Sequence, residues 1–361
     1  MNKTWAAEAI SILWKNPPVT ALAAIEDRDR RQFYASHVRK LDYYYKDKRT
    51  MAKYSTLREM EFPLLKSIDI RTSKNEPKEI MRLCVEFCIR PGLEEVCFEG
   101  SGLDSKLLYL LRRQCPNLKK IAFLVDAFYG SSIIDLTEFI DSCKSLRSID
   151  LDSKGSMQDI LEQRLGSLLG SLANYNGLEK LHLNMIPKYE TFSRVLGSVE
   201  QPFKDLRDLS MGPAEARSVS LLVSKPNPLS LTALDLIIDD TNLTINPLPQ
   251  IGLLENLRNL TIRYEGRRPL SHILPLENLK CLRILDVSGS PLVEEFTDEM
   301  FIPMVKNWPE LVALQLEGQN SKLSITSLTS LGKHCPRLKA CLIEGEYDLT
   351  DWQNIPRPIF P

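Results

Sequence analysis

His182 is the residue in this sequence with the most obvious chemical potential. When the strand-forming stretches are aligned, it falls in a row with Asp150 and Asp235, and an imidazole backed by a carboxylate can act as a general base. The alignment sets Asp150 one repeat away and Asp235 two repeats away, and no serine or cysteine nucleophile sits beside them in a recognisable elbow or loop. His37, His272 and His334 are dispersed, so no metal-ligand spacing emerges. The eight cysteines, at 84, 88, 97, 115, 143, 281, 335 and 341, include no CxxC pair; they read as reduced, mostly buried thiols. The expectation is a chain that is not an enzyme and that uses neither metal nor cofactor, its polar residues serving contact instead.

The elements that position these residues are strands of one repeated kind. In Leu178-Glu-Lys-Leu181-His182-Leu183 an apolar residue leads in, and two more alternate with polar ones, as in a strand with one face in a core. The same three slots recur at Val38/Leu41/Tyr43, Leu65/Ile68/Ile70, Leu93/Val96/Phe98, Leu118/Ile121/Phe123 and Leu146/Ile149/Leu151. After Leu178 they return at Leu206/Leu209/Met211, Leu231/Leu234/Leu236, Leu257/Leu260/Ile262, Leu282/Leu285/Val287, Leu311/Leu314/Leu316 and Leu338/Cys341/Ile343. The twelve copies lie about 27 residues apart, inside the leucine-rich-repeat range. The fold class expected is α/β: a leucine-rich-repeat solenoid, or horseshoe, with a parallel concave sheet and outer helices, preceded by a short helical segment.

Helical periodicity between the strands predicts helices over Glu79 to Ile89, Asp104 to Gln114, Leu136 to Ser142, Met157 to Ala173, Tyr189 to Val199, Ala214 to Ser224, Thr297 to Asn307 and Ile325 to His334. Pro247, Pro249, Pro269 and Pro275 predict short turns or 3₁₀ pieces in the eighth and ninth connections instead. Four copies open with a second signature: Cys115-Pro-Asn-Leu118, Cys143-Lys-Ser-Leu146, Trp308-Pro-Glu-Leu311 and Cys335-Pro-Arg-Leu338. The domain reading is a helical segment over 1–37, repeats over 38–347, and a tail over 348–361 whose Trp352, Ile355, Ile359 and Phe360 cap the last repeat.

With alternation set this way, Asp69, Cys97, Ala122, Asp150, His182, Ser210, Asp235, Thr261, Asp286, Gln315 and Leu342 line the concave face, flanked by Glu99, Asp152, Asn184, Arg263, Ser288 and Glu317. The expected partner surface is a mildly acidic groove centred on Asp150, Asp152, His182, Asn184, Asp235, Arg263 and Asp286. A net charge of −1 over 361 residues argues against general nucleic-acid binding, and no apolar run long enough for a membrane span occurs. The first residues lack the unbroken apolar core of a secretion signal, which predicts a cytoplasmic or nuclear protein.

These repeats resemble those of F-box proteins with leucine-rich repeats of the ribonuclease-inhibitor-like, cysteine-containing type, over roughly residues 38 to 345, and the Cys-Pro-x-Leu openings at Cys115 and Cys335 are the more specific marks. The N-terminal stretch from Trp5 through Ile10, Leu13 and Trp14 to Pro18, with Arg30 to Leu41, resembles the end of an F-box and its linker in large fungal families; four residues precede Trp5. The resemblance implies a substrate-recognition adaptor of a cullin-RING ubiquitin ligase. A protein substrate would sit on the concave face, and the cullin-linked adaptor would dock through Trp5, Ile10, Leu13 and Trp14. The alternative reading is a stand-alone repeat scaffold without ligase docking.

Overall fold

A computed structural model describes residues 3–44, 55–71, 86–100, 103–125, 130–153, 162–184, 186–224, 230–239, 245–265, 270–289, 296–317 and 321–350. The chain forms two compact units, residues 1–178 and 179–361, a division that falls inside the repeat series.

In the first unit three helices, α1 (Lys3–Leu13), α2 (Val19–Ala23) and α3 (Arg28–Ala35), precede five strands: β1 (Lys40–Tyr44), β2 (Ser67–Arg71), β3 (Glu95–Gly100), β4 (Lys120–Val125) and β5 (Ser148–Ser153). The strands pair in chain order, all parallel. Register stacks Leu41, Ile68, Val96, Ile121 and Ile149 in one column and Tyr43, Ile70, Phe98, Phe123 and Leu151 in the next, all buried. Helices Ser105–Gln114, Gly130–Ser142 and Glu162–Ala173 cover that side. The first of them shows how the sequence builds such a cover. Asp104 caps it by accepting the Leu107 N–H at 2.8 Å, Leu107, Leu108 and Leu111 make the buried stripe, and Arg112 and Arg113 sit in the last turn, where cations favour the helix dipole.

The second unit continues with β6 (Lys180–Leu183), β7 (Asp208–Ala214), β8 (Ala233–Ile238), β9 (Asn259–Tyr264), β10 (Ile284–Gly289), β12 (Ala313–Leu316) and β14 (Ala340–Ile343), again parallel and in order. The predicted thin connections are there: a four-residue helix at Leu248–Ile251 and a 3₁₀ segment at Leu270–Asn278 containing Pro275. Strand, turn, outer helix and return, repeated with slot upon slot, is the leucine-rich-repeat architecture.

Several expectations are corrected. Ala214 ends β7 rather than opening a helix, because the strand carries extra residues at Gly212-Pro213 and re-pairs at Ala214 opposite Ile238. Of the helix expected over Glu79 to Ile89, residues 79–85 lie outside the described residues, and Glu86–Cys88 form a 3₁₀ turn. Cys281 and Cys341 are exposed, whereas Cys88, Cys115, Cys143 and Cys335 are buried; Cys84 and the cap residues Trp352 to Phe360 lie outside the described residues. In the last copy Leu338, Cys341 and Ile343 are not buried.

The second signature has a common physical basis. Each opening residue sits where a helix ends, and in three of the four its side chain donates to a backbone carbonyl of the preceding coil. Cys115 Sγ reaches Arg90 O at 3.4 Å, Cys335 Sγ reaches Val305 O at 3.6 Å, and Trp308 Nε1 reaches Leu276 O at 3.1 Å. Cys115 and Cys335 share one backbone conformation, φ −118° with ψ 68° and φ −115° with ψ 67°. At Cys143 the next coil supplies the link: Tyr175 donates its hydroxyl hydrogen to Cys143 O and accepts the Leu146 N–H at 3.1 Å.

A feature unforeseen in the sequence is a second parallel sheet of β11 (Phe296–Thr297), β13 (Ser321–Ser324) and β15 (Glu346–Asp348). Asp298, in the first turn of helix Asp298–Lys306, ties it to the next helix. Its carboxylate accepts the Ser324 N–H at 2.8 Å and the hydroxyls of Ser324 and Ser327, while Ser324 Oγ caps helix Ile325–His334 by accepting the Thr326 N–H at 3.1 Å. Burial pushes the Asp298 carboxyl up, but these hydrogen bonds outweigh it and hold it below the ordinary value. Its stabilisation is therefore present above the unfolded pKa of about 3.9 and is lost as pH falls through the lower folded value. Asp298→Ala should cost on the order of 2 kcal/mol at neutral pH, with the deficit shrinking below about pH 4 in chemical denaturation. A deficit that grows on acidification would contradict this assignment.

Candidate partner-binding face

The face of each sheet away from its helices carries the side chains between the apolar slots. In the second unit register places His182, Ser210, Asp235, Thr261, Asp286, Gln315 and Leu342 in one row, with strands about 4.8 Å apart. His182 thus stands two strands from Asp235 with Ser210 between them, and Ser210 Oγ donates to Asp235 at 3.2 Å. Asp235 and Asp286 flank Thr261, Arg263 pairs in register with Ser288 one step along, and Arg263 and Asp235 are exposed. His182 and Asn184 are half-buried.

Asp286 is the most constrained carboxylate of this row. It is half-buried, and its Oδ1 is sealed from solvent without a hydrogen-bond partner among the described residues. Burial raises its pKa, Glu317 and Asp235 add to the rise, and Arg263 opposes it. Glu317 accepts from Gln315 Nε2 at 3.0 Å and from the Gly289 N–H at 3.2 Å. Gly289 has φ +124°, and an added Cβ would lie 2.1 Å from Tyr264 O, so only glycine lets the strand exit bring its N–H to that carboxylate.

In the first unit Asp150 and Asp152 are half-buried on β5. The tighter cluster lies nearer the start of the sheet, at a residue the sequence reading passed over. Arg71 donates to both carboxylate oxygens of Asp69 at 2.9 and 3.3 Å and lies 3.8 Å from Glu99, while Lys40 pairs with Asp42 at 3.0 Å. Arg71 occupies the flanking position of β2, the one that Glu99 occupies on β3, so the same alternation finds it. Burial, with Asp69 beside it, pushes the Cys97 thiol up to about 11. Among the described residues no three His, Cys, Asp or Glu side chains converge to hold a metal ion, and no helix is long and apolar enough to cross a membrane.

The other candidate surface is α1. Trp5, Ile12 and Leu13 are each more than 70% exposed, Ile10 is half-buried, and Trp14 stacks on Tyr34 with ring centroids 4.2 Å apart. The helix is joined to the sheet through the residue after Trp14, since Lys15 O accepts the N–H groups of Arg39 and Lys40 at 2.8 and 3.1 Å.

No family model and no curated protein sequence matches the chain. Among solved structures, an internalin of Listeria monocytogenes is similar at 14% identity and TM-score 0.48, the match covering 92% of this chain and 88% of that one. A leucine-rich-repeat protein of Leptospira interrogans is similar at 14% identity and TM-score 0.42, over 90% of this chain and 83% of that one. Internalin C2 of Listeria monocytogenes is similar at 16% identity and TM-score 0.31, over 68% and 85%.

Proposed function

We propose that the chain is a protein-interaction module acting as the substrate-recognition adaptor of an F-box-type, cullin-linked ubiquitin ligase. The helix-free sheet face would hold the protein substrate, and α1 would hold the cullin-linked adaptor protein. The observation that supports substrate binding is the row Asp235, Thr261, Asp286 and Gln315 with Arg263 and Glu317 beside it, a polar strip fixed on strands and left uncovered by any described element. Docking rests on the likeness of Trp5 to Trp14 to the end of an F-box, together with the exposure of Trp5, Ile12 and Leu13, since contiguous exposed apolar side chains mark interaction sites.

Titration of the purified chain with the cullin-linked adaptor in a calorimeter tests the docking. Saturable binding is expected, weakened at least about tenfold by Trp5→Ala with Leu13→Ala, as truncating exposed aromatic and apolar anchors does. The melting temperature should stay unchanged, because neither side chain is in the core. Absence of binding heat, or equal affinity in the double variant, would reject docking through α1 and leave the stand-alone scaffold.

A further inference from the structure

The position just before each strand forms a ladder of its own. In the first unit it holds Arg39, Lys66, Glu94, Lys119 and Arg147. The carbonyl of each of the first four accepts the N–H of the next, at 2.8, 2.7, 2.7 and 2.7 Å, so their side chains emerge about 5 Å apart along one edge of the sheet. Four cations on neighbouring rungs repel one another unless an anion intervenes. Glu94 supplies one, accepting from Lys66 at 2.5 Å and Lys119 at 2.7 Å, and these two lysines, Lys119 foremost, hold its carboxyl down at about 2.

Lys144, three residues before Arg147, adds a fifth cation. Arg147 donates to Gly177 O at 3.0 Å, and neither Lys144 nor Arg147 forms an ion pair within 4.0 Å among the described residues. Lys66, Glu94, Lys119, Lys144 and Arg147 line one open groove of about 560 Å³ together with Gly92, Asn117 and Ser145. Pro63 and Leu64, both exposed, close one end of the lining with apolar surface.

We infer that this groove on the edge of the first unit is a second interaction site, taking an acidic polypeptide segment that carries an apolar side chain at one end. Carboxylates of the segment pair with Lys144 and Arg147, and its apolar side chain packs on Pro63 and Leu64. Glu94 in the middle of the row disfavours a continuous polyanion such as nucleic acid, whose phosphates offer no gap opposite a carboxylate and no apolar end. The site is separate from the helix-free face and does not depend on docking through α1.

The probe is a fluorescein-labelled decapeptide of Asp and Glu with one Leu near an end, read by anisotropy against the full chain. Its comparisons are the same peptide with Asn and Gln in place of the acids and a single-stranded RNA decamer. Expected is binding by the acidic peptide at least about tenfold tighter than by its amide form, falling as salt rises. Lys144→Glu with Arg147→Glu should weaken it by about tenfold or more, and Glu94→Gln, which frees Lys66 and Lys119, should tighten it. Circular dichroism checks that both variants stay folded. Equal affinity for the two peptides, no loss in the double variant, weaker binding by the Glu94 variant, or tighter binding of the RNA at matched salt would each overturn the inference.

Discussion

Trp308→Ala is expected to destabilise the second unit by about 4 kcal/mol or more in chemical denaturation. The indole is fully buried, and truncating a buried aromatic side chain costs about 3–5 kcal/mol through lost packing and the cavity left behind. Its Nε1–H also donates to the Leu276 carbonyl at 3.1 Å, within the thin 3₁₀ connection, where that oxygen accepts the Leu279 N–H at 3.0 Å as well, so losing the indole donor adds only the net worth of one hydrogen bond, about 0.5–1.5 kcal/mol. Trp308→Phe separates the two contributions. It keeps most of the apolar ring and removes the donor, so a loss of about 0.5–1.5 kcal/mol is expected, well short of the alanine variant. Equal losses from the two variants would show that the hydrogen bond carries the effect alone. A negligible loss from either would mean that Trp308 does not clamp this coil to the one before it.

The contrast between Trp308 and the cysteines shows where the sequence was legible. The slots that fix the strands are apolar because each side chain enters a continuous core, and that demand repeats every coil; Leu260 and its counterparts were therefore readable from spacing alone. The opening signature was readable as a pattern, but its donor role was not, because the accepting carbonyl belongs to a residue 25 to 32 positions earlier. The second sheet was missed for a related reason. Phe296–Thr297 is two residues long and Ser321–Ser324 four, too short for alternation to stand out, and pairing between coils makes them strands. The stripe of α1 was legible only in part. Helical spacing of apolar residues predicts an apolar face, and it does not say whether this chain supplies the surface that covers it. On the candidate face the alternation placed Asp235, Arg263 and Asp286 correctly, yet it could not show that Asp69 is drawn to burial by Arg71, since that depends on side-chain reach.

Leu260→Asp and Thr261→Ala, one residue apart on β9, should have opposite consequences. Leu260 is fully buried between Leu234 and Leu285 in the register, so an aspartate there loses a core side chain and faces a carboxylate with no counter-charge. The expected cost is about 4 kcal/mol or more at neutral pH, and because each coil is held mainly by its neighbours, the loss should spread to β8 and β10 as a broadened transition. Desolvation would raise the pKa of the introduced carboxyl in the folded state above its unfolded value, so protonation favours folding and the variant should recover part of its deficit as pH falls through the raised value. Thr261 points to the helix-free face and is half-exposed, so its replacement by alanine should change stability by no more than about 0.5 kcal/mol. Urea denaturation followed by circular dichroism at neutral and mildly acidic pH reads all three outcomes. Similar costs for the two substitutions would mean that β9 does not separate core from partner face, and the row through Asp235, Thr261 and Asp286 would lose its claim to be a surface.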